Sequence, residues 1–304
     1  GAHVTATDSR AASDLSTSLA ALADLPISYA LGGHPLTVLD DRSIVFVSPG
    51  VPLEIPLLVE ARRRRLPLSS ETRLFTRLCP ARVVGITGSS GKTTTTALLG
   101  KILDNAGFPV LVGGNIGQPL IARLDTIREQ DTVVMELSSF QLDFFGPWPE
   151  VAAAGGSSEM ARAMFDPAGW SPPVASILNI TPNHLDRHGT MESYIAAKYQ
   201  ILAHQQDRDI AVLNLDDHIT REMADITHRR RRMLWFSMSQ EVKQGAFLQD
   251  GALVVRWGGR QEPVCRMEDL KLLGQHNLAN ALAACALGAA TGAPIEAIRQ
   301  AVTS

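Results

Sequence analysis

Short apolar runs alternate with segments of helical periodicity through the first part of the chain, from Val4 to about Leu74. The apolar runs that predict strands are Val4–Thr7, Ile27–Leu31 and Ile44–Ser48. The segments with apolar residues at helical spacing are Ala11–Leu22 and Ile55–Arg65. Strands that alternate with helices in this way are typical of α/β folds.

A second, longer block begins with Ala81-Arg-Val-Val-Gly-Ile-Thr87, a continuous apolar run that predicts a buried strand. A helical segment, Thr94–Ala106, follows and is closed by Gly107. Further strands are predicted at Val110–Val112, Thr132–Leu137, Val174–Asn179 and Ile210–Asn214. Because the segments between them are long enough for crossover helices, the sequence predicts a mostly parallel sheet.

The alternation of strands and helices is interrupted at two places in the chain. The Gly- and Pro-rich segment Gly146–Pro173 predicts a surface insertion. Beyond Met233, a small antiparallel excursion and then a buried helix are predicted; their segments are Leu234–Ser237, Phe247–Leu248, Ala252–Trp257 and Leu278–Ala290. The two blocks predict two domains, residues 1–80 and 81–304, which agrees with the length of 304 residues.

Composition narrows the class of protein without identifying it. The 28 Lys and Arg against 31 Asp and Glu leave a net charge of −3, so neither disorder nor a polyanionic partner is indicated. We interpret the basic runs Arg62–Arg65 and Arg229–Arg232 as solvated faces and expect no nucleic-acid partner. The uncharged stretch Asn277–Ile295 is rich in Ala and Gly and predicts a buried helix, not a membrane span. Three scattered cysteines predict neither a disulfide framework nor a zinc site, which fits a reducing compartment.

A glycine-rich turn between the strand ending at Thr87 and the following helix predicts a phosphate-binding loop. Its residues are Gly88, Ser89, Ser90, Gly91, Lys92, Thr93 and Thr94. Free N–H groups in such a turn point at anionic oxygens, Lys92 suits the β- and γ-phosphates, and Thr93 or Thr94 suits Mg²⁺. The strict P-loop spacing fails by one residue, because Ile86 stands where its first glycine belongs. A turn that only caps a helix needs no Lys, and only five of the 28 basic residues are Lys.

Three further side chains stand where chemistry is expected. Glu136 ends one apolar strand, and His184 lies just after another, at the sheet edge that faces the ligand crevice in open parallel sheets. Glu136 suits a Mg²⁺ ligand, and His184 suits a ligand or substrate contact. The alternatives are an exposed strand-end acid and a structural histidine. Lys198 lies among apolar neighbours on a predicted helix, and by itself it indicates a snorkelling surface lysine.

The spacing of these motifs resembles the Mur ligase family, and the resemblance spans nearly the whole chain. The matching strings are Ser48-Pro-Gly50-Val-Pro, Gly88-Ser-Ser-Gly-Lys-Thr-Thr, Gly113-Gly-Asn115-Ile-Gly117, Glu136-Leu-Ser-Ser-Phe-Gln-Leu, Asn179-Ile-Thr-Pro-Asn-His-Leu-Asp-Arg-His188, Ala196-Ala-Lys198 and Gly274-Gln-His-Asn277-Leu-Ala-Asn280-Ala. The third and fourth of these strings favour the D-glutamate-adding branch of the family over its sister ligases. Folylpolyglutamate synthases share the phosphate loop but not those two strings.

The resemblance implies an ATP-dependent amide ligation in cytoplasmic peptidoglycan precursor synthesis. In that reaction the carboxylate of UDP-MurNAc-L-Ala takes the γ-phosphoryl group, and the amine of D-glutamate captures the acyl phosphate. By the family pattern Lys92, Glu136, His184 and Lys198 are catalytic. Thr93 or Thr94 and Glu136 hold one Mg²⁺, while His184 and a carbamylated Lys198 belong to a second site.

The resemblance also assigns substrate contacts. Asn277 and Asn280 match positions at the adenine end of ATP, although Asn277 alone also suits a helix cap. The positions that match the UDP site are Asp8, Ser9, Arg10 and Gly50, and those that match contacts to the muramoyl-alanine part are Asn115 and Ser138. A guanidinium such as that of Arg10 suits a diphosphate.

The same comparison sets expectations for the domains. Residues 1–80 are expected to form a truncated Rossmann-like UDP-substrate domain without its opening strand, and residues 81–304 a P-loop ATPase domain. The protein is expected to be a monomer. The C-terminal domain that carries the D-glutamate site is expected to be absent. Two alternatives stay open, a catalytically silent nucleotide-binding module and a Mur-type ligase with another acceptor.

Overall fold

The computed structural model describes residues 2–117, 119–147, 169–227, 232–271 and 274–304. These divide into two compact units, one of residues 2–69 and a larger one that begins at Ser70. Most of the predicted insertion, residues 148–168, lies outside the described residues. Residues 228–231, which include most of the second arginine run, also lie outside them.

The smaller unit contains two pairs of parallel strands. Strand β1 (Val4–Asp8) pairs with β2 (Ile27–Leu31), and β3 (Val45–Phe46) pairs with β4 (Leu68–Ser69). The connecting helices are the 3₁₀ turns Ala12–Leu15 and Leu36–Leu39 and the α-helices α1 (Ser16–Ala21) and α2 (Pro56–Arg63). The predicted α/β alternation is therefore present, with the first helix divided into a 3₁₀ turn and a short α-helix.

The larger unit is built on a sheet of nine strands among the described residues. In chain order they are β5 (Arg82–Thr87), β6 (Val110–Gly114), β7 (Thr132–Glu136), β8 (Val174–Ile177), β9 (Ile210–Asn214), β10 (Arg232–Ser237), β11 (Gly245–Gln249), β12 (Ala252–Trp257) and β13 (Arg260–Arg266). Their order across the sheet is β13-β12-β11-β10-β9-β8-β5-β7-β6. All neighbours from β6 to β11 are parallel, which confirms the predicted mostly parallel sheet.

The predicted antiparallel excursion is wrong for its first strand and confirmed for the other two. Strand β10 pairs in parallel with both β9 and β11, whereas β11 pairs antiparallel with β12, and β12 antiparallel with β13. A helix at His218–Thr227 lies between β9 and β10 in the chain and supplies a crossover connection. Gly245 begins β11 at φ +128°, where a Cβ would collide with the Trp235 carbonyl. A glycine is therefore needed for the close approach of β11 to β10.

Helices cover both faces of the sheet. They are α3 (Glu71–Leu78), α4 (Lys92–Asn105), α5 (Ser139–Leu142), α6 (Leu185–His188), α7 (Met191–Ala203), α8 (His218–Thr227), α9 (Gln275–Thr291) and α10 (Ile295–Val302), with 3₁₀ turns at Leu120–Thr126 and Met267–Asp269. Along β5, Val84 and Ile86 pack with α4 and α9, whereas Val83 packs in the core on the other face. This alternation places the central strands between two apolar layers, as a doubly wound sheet requires.

The uncharged stretch forms a buried helix, as predicted. Helix α9 begins at Gln275, and its residues from Asn280 to Ala290 are all buried. None of the helices within the described ranges combines the length and apolarity that crossing a membrane requires.

The larger unit begins before the predicted domain boundary at residue 80. Phe75 of α3 is fully buried and shares a core cluster with Ala81 and Val83. Helix α3 therefore packs as part of the larger unit, because its main apolar side chain contributes to that core.

We expect Phe75→Ala to lower the free energy of unfolding of the larger unit by about 3–5 kcal/mol, since it leaves a cavity in a closed core. Leu78→Ala in the same helix is the matched control, because Leu78 is 52% exposed, and its effect should stay below about 1 kcal/mol. Urea unfolding followed by tryptophan fluorescence measures both variants. Equal effects of the two substitutions would contradict this role of α3.

Candidate active site

The predicted phosphate loop has the strand–turn–helix geometry that anion binding requires. Strand β5 ends at Thr87 and α4 begins at Lys92, with Gly91 as the residue before the helix at φ +81°. A Cβ at Gly91 would also collide with the side chain of Asn280. Both the left-handed backbone and this contact require glycine at this position.

The loop is held by the segment that follows β8. The N–H of Ser89 donates to the Asn179 carbonyl at 3.0 Å, and the N–H of Ser90 donates to Asn179 Oδ1 at 2.9 Å. The Ser89 hydroxyl donates to the Thr181 carbonyl at 2.9 Å and lies 3.0 Å from the Tyr194 hydroxyl. Asn179 and Tyr194 were not predicted as site residues. A polar residue at the end of a buried strand is the signal that identified Glu136, and it applies to Asn179 as well.

Lys92 lies over this loop. Its ammonium donates to the carbonyls of Gly88 at 3.0 Å and Ser89 at 3.4 Å. Burial lowers the pKa of Lys92, and the nearby Glu136 carboxylate opposes that shift. The cation therefore lies at the mouth of the turn, where phosphate oxygens would meet it.

Glu136 is a buried carboxylate held by two predicted site residues. It is 2% exposed, its Oε2 accepts from the Thr93 hydroxyl at 2.8 Å, and its Oε1 accepts from Asn115 Nδ2 at 3.1 Å. The Asn115 N–H also donates to the Glu136 carbonyl at 2.9 Å. Gly114, at φ +101°, allows this close approach, because a Cβ there would collide with that carbonyl. A carboxylate beside a hydroxyl is an oxygen donor set that fits Mg²⁺. Thr94 follows Thr93 in the first turn of α4 and is half-buried.

Lys198 is not a surface lysine. Its side chain is buried in α7, and its ammonium donates to the Gly88 carbonyl at 2.9 Å and to Thr87 Oγ1 at 3.3 Å. The ammonium also lies 4.8 Å from the centre of the Tyr194 ring. Burial, and secondly the charge of Lys92, lower the pKa of Lys198 to about 7. A substantial fraction of neutral amine is therefore present near neutral pH, which a lysine in water does not have.

The loops after β7 and β8 form the walls of one cavity. Ser138 is the N-cap of α5: its hydroxyl accepts from the Gln141 N–H, and the Gln141 side chain accepts from the Ser138 N–H. His184 has a left-handed backbone at φ +52°, and its ring lies 5.2 Å from that of Phe140. The cavity has a volume of about 180 Å³ and is lined by Ser89, Lys92, Asn115, Ser138, Ser139, Phe140, His184, Tyr194 and Lys198.

Asn277 and Asn280 lie at the start of α9. That helix begins at Gln275 after Gly274, so the capping role considered for Asn277 is wrong, and Asn277 lies inside the first turn. Asn280 is buried against Gly91 and donates weakly to Asn277 Oδ1 at 3.4 Å. These two amides therefore border the helix end of the phosphate loop.

The predicted UDP-site residues lie in the smaller unit. Asp8 ends β1, and its carboxylate accepts from the Arg10 N–H at 2.8 Å and pairs with the Arg10 guanidinium at 3.2 Å. These hydrogen bonds hold the pKa of Asp8 below its usual value. Ser9 lies between them, and Gly50 lies in a turn after β3. In this state the guanidinium that was predicted to face a diphosphate is paired with Asp8.

Comparison with known proteins places the chain in a family. The family model described as Mur ligase middle domain matches residues 86–153 and 155–288. That match covers more than half of the chain, which therefore belongs to the Mur ligase family.

Curated relatives narrow the similarity further. The chain is 40% identical to the UDP-N-acetylmuramoylalanine–D-glutamate ligase of Acidobacterium capsulatum, over 99% of this chain and 61% of the relative. It is 39% identical to the ligase of that name from Symbiobacterium thermophilum, over 100% of this chain and 62% of the relative. The chain thus spans less than two thirds of the length of these relatives.

Solved structures show the same fold at lower sequence identity. The UDP-N-acetylmuramate:L-alanyl-gamma-D-glutamyl-meso-diaminopimelate ligase of Neisseria meningitides superposes with a TM-score of 0.60. The match covers 99% of this chain and 90% of that chain at 19% identity. MurF from Acinetobacter baumannii gives a TM-score of 0.55 over 77% of this chain and 48% of its own, at 23% identity.

The lowered pKa of Lys198 predicts a pH-dependent stability. The pKa of Lys198 is about 7 in the folded state and has its ordinary value of 10.5 in the unfolded chain. At a pH between these two values the unfolded chain binds a proton at Lys198 that the folded chain does not. The destabilising contribution is therefore complete below pH 7 and disappears as the pH rises toward 10.5. We expect the unfolding free energy of Lys198→Met minus that of the wild type to fall between pH 7 and pH 10.

Urea unfolding in carbon-dioxide-free buffer measures this difference. Lys101→Met, at an exposed position of α4, is the matched control for replacing a lysine by methionine. A pH-independent difference for Lys198→Met would contradict the lowered pKa.

Proposed function

We propose that this chain carries the ATP site and the acyl-donor site of a ligase that adds D-glutamate to UDP-MurNAc-L-Ala. One observation carries the proposal: Lys92, His184 and Lys198 line a single cavity, and Glu136 lies beside it through its contacts with Thr93 and Asn115. Relatives named UDP-N-acetylmuramoylalanine–D-glutamate ligase, at 40% and 39% identity, support the proposal.

The phosphate loop is the proposed ATP site. The turn from Gly88 to Gly91 and the first turn of α4, with Lys92, Thr93 and Thr94, would hold the phosphates. Asn277 and Asn280 would contact the adenine end. The MurF ligase of Thermotoga maritima, a neighbour of this fold at 21% identity, was crystallised in complex with ADP.

The proposed reaction has two steps. A carboxylate oxygen of UDP-MurNAc-L-Ala attacks the γ-phosphorus, the bond to the bridging oxygen of ADP breaks, and an acyl phosphate forms. The amine of D-glutamate then attacks the acyl carbon. The bond between that carbon and the oxygen it shares with phosphorus breaks, so phosphate leaves with this oxygen, and the nitrogen gives up a proton as the amide forms. Lys92 offsets negative charge on the phosphoryl oxygens in both steps.

Oxygen and nitrogen donors in and beside the cavity would hold two Mg²⁺ ions. Glu136 with Thr93 or Thr94 would hold one ion, and His184 with Lys198 would hold the other once Lys198 carries a carbamate. The neutral amine of Lys198 would attack carbon dioxide and lose a proton. The resulting carbamate offers an anionic oxygen ligand in place of an ammonium group. Bound Mg²⁺ supplies further neutralisation of phosphate charge.

The remaining substrates are assigned on the family resemblance. Asn115 and Ser138, which line the cavity, would contact the muramoyl-alanine part. Residues 2–69 would belong to a Rossmann-like domain that binds UDP through residues Asp8, Ser9, Arg10 and Gly50. The D-glutamate site would lie in a further domain of the relatives, whose length this chain spans only in part. ATP and a UDP-linked precursor as substrates would fit a cytoplasmic enzyme.

Lys92→Ala tests the proposed ATP site. In a protein that contains this chain together with the further domain, phosphate release from ATP with UDP-MurNAc-L-Ala, D-glutamate and Mg²⁺ should fall by at least about 100-fold, because the cation at the transferred phosphoryl group is lost. Lys101→Ala, on the same helix but exposed, is the matched control and should retain activity. Unchanged release by Lys92→Ala would contradict the assignment.

Carbon dioxide dependence tests Lys198 separately. Removing carbon dioxide and bicarbonate should lower phosphate release, and adding bicarbonate should restore it, because the carbamate forms reversibly. Lys198→Ala should show neither response. Wild-type activity that is indifferent to bicarbonate would contradict the carbamate.

A further inference from the structure

His188, the last residue of α6, has no role in the proposed function and yet joins the two walls of the cavity. It is half-buried, and its Nε2 lies 2.9 Å from Ser139 Oγ. Its ring stacks on that of Phe140, with ring centres 5.4 Å apart and an angle of 17°. On its other side the Tyr194 ring lies 5.3 Å away.

These contacts link segments that the sheet itself keeps apart. Ser139 and Phe140 follow β7, whereas His188 follows β8, and β5 lies between those two strands. Three of the side chains that His188 contacts, those of Ser139, Phe140 and Tyr194, line the cavity. His188 itself is not among the lining residues, so it acts on the cavity through them.

The surroundings keep the imidazole uncharged near neutral pH. Burial, followed by the charges of Lys198, Arg187 and His184, lowers the pKa of His188, whereas Asp186 opposes the shift. A neutral ring has one N–H and one acceptor nitrogen, so it pairs with a hydroxyl in either tautomer. The lowered pKa therefore disfavours one more positive charge beside the predicted carboxylate subsite.

We propose that His188 is a positioning residue for the acyl donor: it holds the Ser138–Phe140 turn against the His184 turn and so shapes the wall that receives the donor carboxylate. This inference rests on the proposed function, because that function assigns Ser138 and His184 to the donor. The nucleotide phosphates would be held by the phosphate loop around Lys92, which His188 reaches only through Tyr194 and its contact with Ser89. His188 should therefore weaken donor binding more than ADP binding.

Two variants separate the hydrogen bond from the ring contact. His188→Phe keeps an aromatic ring on Phe140 but removes the bond to Ser139, whereas His188→Gln keeps a polar group near the position of Nε2. We expect His188→Phe and Ser139→Ala each to weaken binding of UDP-MurNAc-L-Ala about three- to tenfold, the range for one lost hydrogen bond. The double variant should be no weaker than either single variant, because both remove the same bond. His188→Gln should recover most of the affinity.

Isothermal titration with UDP-MurNAc-L-Ala and with ADP and Mg²⁺ provides the test, with the exposed His218→Gln as the matched control. Additive losses in the double variant, or equal losses of donor and ADP binding, would overturn the inference. Wild-type chain that binds ADP but not the donor would refute the donor site itself. Amide hydrogen exchange of residues 136–145 then still tests the contact: faster exchange in His188→Phe supports the positioning role, and unchanged exchange overturns it.

Discussion

The parallel pairing of β7, β5 and β8 is the constraint on which the site depends. Strands that run in the same direction end at the same edge, so the loops that follow them meet there. Here those loops bring Glu136, the Gly88–Gly91 turn and the Asn179–His184 segment together. The backbone reinforces this arrangement, because the Leu137 N–H donates to the Ile86 carbonyl and the Leu178 N–H donates to the Thr87 carbonyl, at 2.8 and 2.9 Å.

Two buried groups show how the loops and the site depend on each other. A carboxylate and an amine inside a protein are costly unless they have polar partners. Glu136 has Thr93 and Asn115, and Lys198 has the Gly88 carbonyl and Thr87. In both cases a partner lies in or next to the phosphate loop, so a change in that loop reaches both groups. The proposed nucleotide site and the proposed acyl-donor wall are therefore parts of one polar network.

Those parts of the candidate site that follow from a local sequence pattern could be predicted from the sequence. A strand, a glycine turn and a helix in succession identified the phosphate loop, and the position at a strand end identified Glu136. Lys198 needed the family resemblance, because its own surroundings in the sequence indicate a surface residue, and only the packing of α7 on β5 buries it. Asn179 follows a buried strand, as Glu136 ends one, so a local pattern could have identified it. Its contact with the phosphate loop, however, depends on β8 lying beside β5, which no local pattern specifies.

The same limit explains the errors in the fold. The parallel direction of β10 and β11 was not predicted, because both strands are short and close in sequence, a pattern that usually indicates antiparallel pairing. It depends on the α8 crossover before β10 and on Gly245, which allows β11 to approach β10. The larger unit includes α3 because Phe75 packs in its core. In addition, Gln141 donates to the Thr72 hydroxyl, and Arg73 donates to the Phe145 carbonyl. All these partners lie later in the chain.

The transfer of an oxygen atom tests the central claim most directly. In the proposed reaction the donor carboxylate attacks phosphorus, so one of its oxygens leaves with phosphate when the amide forms. UDP-MurNAc-L-Ala labelled with ¹⁸O in the L-Ala carboxylate is incubated with ATP, Mg²⁺, D-glutamate and a protein that contains this chain together with the further domain. The phosphate released should carry one ¹⁸O atom. Unlabelled phosphate would mean that no carboxylate oxygen is transferred to phosphate, and it would contradict the account.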